Sequence, residues 1–302
     1  MAVWRRERQS AADVSLSGSL GSAELIRPHQ PWHKLLHNRN LLIGGSIVLV
    51  LVAAALLAPW LTPYQPLAQD HANALLSPDL SHPFGTDNYG RDILTRVLYG
   101  GRIDLRVGII AVIAPFIIGI VLGSMSGYYG GWIDSLAMRA VDIVQAFPFL
   151  VFIIAIVAVL GPGLKNMYIS VALVAWVVYA RLIRSAVLVE KTKDYVTAAR
   201  AIGGNDWRVI RRHLFPNVVT PCIVYAMADM ALYIGLVAAL SYLGLGVPPP
   251  TPEWGAMIAS GQAFMTTAWW ICALPGAAIV VTGIALSLIG DGVAEVLRQG
   301  RR

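Results

Sequence analysis

Six apolar runs, each near the ~20 residues a helix needs to cross a bilayer, constrain this 302-residue chain more than any other feature. They are Leu41–Leu61, Ile103–Met125, Ala140–Leu160, Asn166–Val189, Val218–Leu245 and Ala268–Ile289. Hydrophobic residues make up 57% of the chain and charged residues 13%, whereas a soluble domain carries about 25% charged residues. The expectation is an all-α integral membrane protein with about six transmembrane helices. Its basic residues fall by loop: Arg5, Arg6, Arg8, Arg27, Lys34 and Arg39 precede the first run, eight more lie between Arg181 and Arg212, and Arg298, Arg301 and Arg302 close the chain. That is the positive-inside pattern, which puts both termini and the central loop in the cytoplasm. Topology thus accounts for the net charge of +6 and pI near 9.5 without invoking nucleic acid.

The chain divides into a cytoplasmic tail with a juxtamembrane segment (residues 1–40), a first span (41–61), an extracytoplasmic loop (62–102), a five-helix core (103–290) and a short tail (291–302). The tail is polar enough to be largely disordered, and Trp32, Leu35 and Leu36 suit the membrane interface. His33 and His37 stand four apart, but Pro31 separates them from His29 and no carboxylate or thiol joins them, so an interfacial helix is preferred to a metal site. Arg5-Arg6 is followed by no apolar stretch until Leu41, so the first span is read as the targeting element. Cys222 and Cys272 fall near opposite ends of spans and read as small buried residues. Gly119, Gly123 and Gly127 form a small-residue stripe for close helix approach, inside the subunit or against another one. Gly276, Gly283 and Gly290 suggest a second such edge. Tyr128–Arg139 reads as a cytoplasmic turn, Pro148 as a kink within the third span, and Gly246–Thr267 as an outer segment too polar and Pro-rich to cross.

The central interruption, Asp194–Pro216 (DYVTAARAIGGNDWRVIRRHLFP), has helical order of its own. Tyr195, Ala199 and Ile202 share helical spacing before Gly203-Gly204 breaks the run. Asn205 or Asp206 can cap a second short helix carrying Trp207, Ile210 and Leu214 on one side, with Pro216 beyond it. Two short amphipathic helices on the charged side of a membrane protein suit a groove in a soluble partner, and Ala198 and Ala199 would let that partner approach the backbone. In the outer loop, HPFGTDNYGRDILTRVLYGGR (His82–Arg102) offers turns at Gly85, Gly90 and Gly100-Gly101. There Asp87, Arg91, Asp92 and Arg96 can satisfy one another, and Ile93, Leu94, Val97 and Leu98 form a short helix for the membrane surface. A structural clamp or a dock for a binding protein is preferred to a catalytic carboxylate–arginine pair, because no nucleophile or histidine pair accompanies it.

Two segments carry a family resemblance. Thr197-Ala198-Ala199, three residues, Gly203, nine residues, then His213-Leu214-Phe215-Pro216 resembles the EAA loop of ABC-importer permeases, with Thr197 in place of the usual Glu and His213 and Phe215 in place of Ile and Leu. The outer Gly85, Thr86, Asp87, Gly90, Arg91, Asp92 and Arg96 match the GTDxxGRDxxxR signature of the C-type permease of dipeptide, oligopeptide and nickel importers. PTPEWG and the terminal GDG are similar too. The resemblance spans about residues 32–297 and implies the MetI-like permease fold. It also implies a coupling role for Tyr195, Thr197, Ala198, Ala199, Gly203, Asp206, Arg211 and Pro216. The partners it implies are a homologous second permease, two ATPase subunits that bind the ATP and Mg, and an extracytoplasmic substrate-binding protein, around a multi-pass protein of the bacterial cytoplasmic membrane. No cofactor is expected on this chain.

The missing motifs agree. There is no Gly-Lys dipeptide, so Walker A is absent, and neither H-E-x-x-H nor G-x-S-x-G occurs. A subunit without its own ATPase motif, and not an enzyme by itself, is expected. Asp229, midway along the fifth run, is an ionisable residue where charge is costly. It either faces a polar path with Tyr225 and Tyr233, where it can attract a peptide amino group, or bonds a neighbouring helix and fixes packing. Met230 and Gln262 are further candidates for a cavity wall; for Asp142, at the cytoplasmic edge of the third run, snorkelling or an ion pair with Arg139 would suffice. A rival reading, a stand-alone secondary transporter or channel working through Asp229, predicts uptake without an ATPase. The substrate itself (dipeptide, oligopeptide, glutathione-like molecule, nickel or opine) is left open.

Overall fold

The computed structural model describes residues 38–299. The expected tail, its interfacial Trp32, Leu35 and Leu36, the histidines at 29, 33 and 37, and the terminal arginines 301 and 302 lie outside the described residues. Nine helices of eight residues or more carry the described part: α1 (Arg39–Leu56), α2 (Ile93–Tyr129), α3 (Gly131–Gln145), α4 (Phe149–Leu160), α5 (Leu164–Glu190), α6 (Asp194–Ala201), α7 (Thr220–Tyr242), α8 (Trp254–Gly261) and α9 (Trp270–Gln299). Five of them, α1, α2, α5, α7 and α9, are long and apolar enough to cross a membrane, and α3 with α4 forms a sixth, broken candidate.

The core is built around α2 and α5. Gly119, Gly123 and Gly127 lie against α5: a Cβ on Gly119 would collide with Tyr179, one on Gly123 with the Ala180 carbonyl, and one on Gly127 would come within 3.0 Å of Val187. The glycine stripe therefore serves packing within the subunit. The second stripe is not a continuous edge. Gly290 faces Met227 of α7, but Gly283 has no neighbour within 4 Å. Instead α1 packs on α9 through Gly44, whose Cβ would meet the Ala285 carbonyl at 2.6 Å. Arg102 of α2 caps the far end of α1, donating to the carbonyls of Ala55 and Leu56 at 2.6 and 3.0 Å.

Several expectations require correction. The membrane-surface helix over Ile93–Leu98 is not separate, because it is the first turn and a half of α2, a single helix of 37 residues. Gly100 and Gly101 do not make a turn. They remain helical and leave room for the Trp254 indole, 3.1 Å from the position of a Cβ on Gly100. The supposed turn over Tyr128–Arg139 is mostly helix α3, which starts immediately beyond Gly130. The acidic residues of α3 are paired with α5: Asp134 takes Arg184 bidentately at 2.5 and 2.6 Å, and Asp142 takes Arg181, not Arg139, at 2.5 Å. Finally, Pro148 makes a corner where a kink was expected. Lacking an N–H and restricting Phe147 before it, it separates α3 from α4 by a bend of 84°.

The outer segment after α7 does not cross. Glu253 caps α8 by accepting from the amides of Gly255 and Ala256, both at 2.8 Å. The Trp254 amide donates to Asp104 of α2 at 3.1 Å and its indole N–H to the Val97 carbonyl at 2.9 Å. Both cysteines are free and buried.

Candidate functional site

At the start of α2, the residues of the Gly85–Arg96 signature converge on one buried network. The Asp87 carboxylate accepts from the backbone amides of Tyr89 and Arg91 and from Arg91 Nε at 2.6 Å, while Arg96 Nε stands 3.8 Å from the same oxygen. Asp92 caps α2 through Thr95, both N–H and O–H, and holds His82 Nδ1 at 2.9 Å. The Thr86 hydroxyl accepts from the Leu76 amide and donates to the Asn73 carbonyl, and its own carbonyl accepts from the Trp270 indole. The Gly85 carbonyl receives the amide of Ile93. Gly90 has a positive φ of 69°, and a Cβ there would collide with the Asp70 carbonyl. Each buried charge is thus paired or hydrogen-bonded, as burial requires. His82, Asn73 and Trp270 belong to this network although the sequence pattern did not single them out for it. At the loop's rim the His82 amide, and then the Ser81 hydroxyl, hold the exposed Asp79 carboxyl below its ordinary range.

At the opposite end of α2 lies the central loop. α6 is helical as its spacing implies, but its inward face is Val196 and Ala199, both buried. Tyr195 is on the rim and Ile202 is 86% exposed, so the expected Tyr195–Ala199–Ile202 face is corrected by one position. Thr197 and Ala198 point to solvent while Ala199 does not. Gly203 takes φ +84° in open space and closes the helix, its amide donating to the Arg200 carbonyl. Asn205, not Asp206, supplies the next cap, accepting from Trp207 N at 3.0 Å. Val209–Leu214 winds as a π-helix, a form concentrated at functional sites. Its Val209 and Leu214 are buried, Trp207 is 66% exposed, and Arg211 and Pro216 are exposed.

What fixes this hairpin is a residue the pattern did not reveal. Tyr128, at the end of α2, donates its hydroxyl to Asp206 Oδ1 at 2.6 Å, accepts from Arg200 Nε at 3.3 Å, and lies under the Arg200 guanidinium, 4.7 Å from the ring centre. A second tie runs through Tyr195, whose hydroxyl donates to Glu190 at 2.8 Å and accepts from Asn217 at 3.2 Å. Burial, then the Glu190 bond, raises the Tyr195 phenol above its ordinary value.

Between these ends a cavity of about 470 Å³ opens beside the α3–α4 corner. Asp229, Tyr225 and Tyr233 all line it, with Gln145, Phe147 and Phe149. Asp229 Oδ2 accepts from the hydroxyls of Tyr179 at 2.7 Å and Tyr233 at 3.1 Å. The two alternatives for Asp229 are therefore not exclusive, since it bonds a neighbouring helix and also faces a cavity. Met230 and Gln262 are not part of this wall; Met230 packs against the apolar core. Among the described residues no group of three or more His, Cys, Asp or Glu is placed to hold a metal.

Comparison with known proteins agrees with this architecture. Residues 119–302 match the family described as the binding-protein-dependent transport system inner membrane component, and residues 29–78 match the N-terminal transmembrane domain of oligopeptide transport permease C. The chain is 41% identical over 273 residues to a di/tripeptide transport system permease protein of Pseudomonas aeruginosa, covering 88% of this chain and 90% of that one. It is 38% identical to a glutathione transport system permease protein of Escherichia coli, covering 97% and 96%. Among solved structures, an inward-facing methionine ABC transporter superposes with a TM-score of 0.54 at 18% identity, over 68% of this chain and 97% of that chain. An amino acid ABC transporter superposes with a TM-score of 0.52 at 16% identity, over 68% and 94%. That likeness shows the MetI-like permease fold, and with the sequence matches it makes this chain a member of the binding-protein-dependent transport system inner-membrane component family.

Proposed function

We propose that this chain is a translocation subunit of an ATP-driven importer for di- or oligopeptides or related small solutes, forming half of the path in the bacterial cytoplasmic membrane with both termini inside. Its partners are a homologous second permease, two ATPase subunits that bind ATP and Mg, and an extracytoplasmic binding protein. The names of its relatives support a peptide-like cargo. The observation that carries the reading is the solvent-facing hairpin Asp194–Pro216. It offers Thr197, Ala198, Ile202 and Trp207 outward and is clamped through Asp206 and Arg200 to the end of the longest helix. Seated in an ATPase subunit, such a hairpin biases the inward- and outward-open states only through contacts that differ between them. At the other end, the Asp87–Arg91 network presents a rigid face to a binding protein. Between them Asp229, Tyr225 and Tyr233 line the path.

Gly203 provides the test. A Cβ meets no neighbour there, so Gly203→Val acts only through its φ, at a cost of about 1–2 kcal/mol in the left-handed region. Membrane insertion stays intact, whereas ATP hydrolysis by the assembled complex no longer drives uptake. Normal uptake by this variant would remove the coupling role, and uptake that needs no ATPase would favour the stand-alone transporter.

A further inference from the structure

The Asp229 cavity has a chemistry that its packing does not account for. Among the described residues no ion pair involves Asp229, and no Lys, Arg or His lines the cavity. The tyrosine hydroxyls hydrogen-bond the Asp229 carboxyl but bring it no counter-charge. An uncompensated carboxylate inside a membrane protein is costly, and such groups mark ion and substrate pathways. The walls are equally particular. Tyr225 and Tyr233 flank the carboxylate, and Phe147 and Phe149 project from either side of the Pro148 corner. The Tyr179 ring, whose hydroxyl binds Asp229, meets the Tyr225 ring edge-on at 5.4 Å. Aromatic faces attract organic cations, and a carboxyl group beside Tyr225, Phe147 and Phe149, in a wall otherwise mostly of Val, Leu and Ala, offers a primary ammonium a counter-charge. The volume falls within the range of small-molecule sites, about 300–1,000 Å³.

We propose that this cavity is a transit site for the α-ammonium end of a peptide-like solute, with Asp229 as the counter-charge and Tyr225 and Tyr233 as its aromatic walls. The proposal rests on the importer reading for the identity of the cargo. A solute that carries its own positive charge would supply what the site lacks, and one whose amine is acylated would not. Selection for a free amine would then operate inside the membrane as well as wherever cargo is first captured.

The test is equilibrium binding of radiolabelled dialanine to the full-length chain in its native complex, in nanodiscs, without nucleotide or binding protein. Saturable binding is expected, displaced by unlabelled dialanine but not by N-acetyl-dialanine. Asp229→Asn should weaken binding at least about tenfold, and Asp229→Glu should keep it within about threefold, at unchanged melting temperature. Absence of binding, equal competition by N-acetyl-dialanine, or full binding by Asp229→Asn would each overturn the proposal. Should Asp229→Asn fail to fold, the competition on the unaltered protein decides. Failure of the importer reading would show separately, as uptake that persists without ATP hydrolysis, while the nucleotide-free binding result would stand.

Discussion

Asp87 organises more of the loop before α2 than its size suggests. It joins two arginines and two backbone amides, with both Asp87 and Arg91 nearly inaccessible. Removing one partner of a buried pair leaves the other uncompensated, typically at about 3–5 kcal/mol. Asp87→Asn should therefore lower the melting temperature in detergent markedly, and a variant that melts with the parent would show the pair to be dispensable. Tyr128 is the corresponding residue at the other end of α2. Tyr128→Phe keeps the ring under Arg200 but loses the hydroxyl bonds to Asp206 and Arg200, worth about 1 kcal/mol each. Proteolysis within 194–216 should quicken while the helical content stays the same; an unchanged cleavage rate would mean that the tie carries nothing. The two roles were not visible in the sequence to the same degree. The spacing of Gly85, Asp87, Gly90, Arg91 and Arg96 announced a self-satisfying cluster. Tyr128, one tyrosine beside another at the end of an apolar run, contacts residues 72 and 78 positions away, and no local pattern encodes that.

At the scale of elements, small residues separate real seams from apparent ones. Gly119, Gly123 and Gly283 look alike as members of regular repeats, yet only the first two abut a neighbouring helix. Gly123→Leu should cost about 1–3 kcal/mol or more through overpacking, whereas Gly283→Leu should fold and melt as the parent does. Equal loss from both would contradict the α2–α5 seam. Apolar length alone located α1, α5 and α7 well, but α9 runs on ten residues past its apolar stretch, to Gln299. It mislocated the start of α2, since Gly100 and Gly101 signal a break unless one knows that the Trp254 indole comes to lie against them. It also hid the first part of α3, where Asp134 is held by Arg184 of the distant α5. Pro148 foretold a disturbance, but its size depended on α4 turning away through 84°.

For the whole molecule, the distribution of basic residues makes a claim about sidedness that the fold allows to be checked. Both cysteines are buried, so a cysteine introduced at the exposed Ser81 or the exposed Thr197 should be the only reactive one. In intact cells a membrane-impermeant maleimide should label Ser81→Cys, and Thr197→Cys should react only after the membrane is opened. The reverse pattern would invert the topology. One consequence follows from α2 itself. At 37 residues and 1.5 Å per residue it is about 55 Å long. One end is rooted in the Asp87 and Asp92 network and the other carries Tyr128. A tilt of ten degrees about its middle would sweep each tip sideways by about 5 Å. A displacement felt at one tip of α2 can therefore register at the other, like the two pans of a balance.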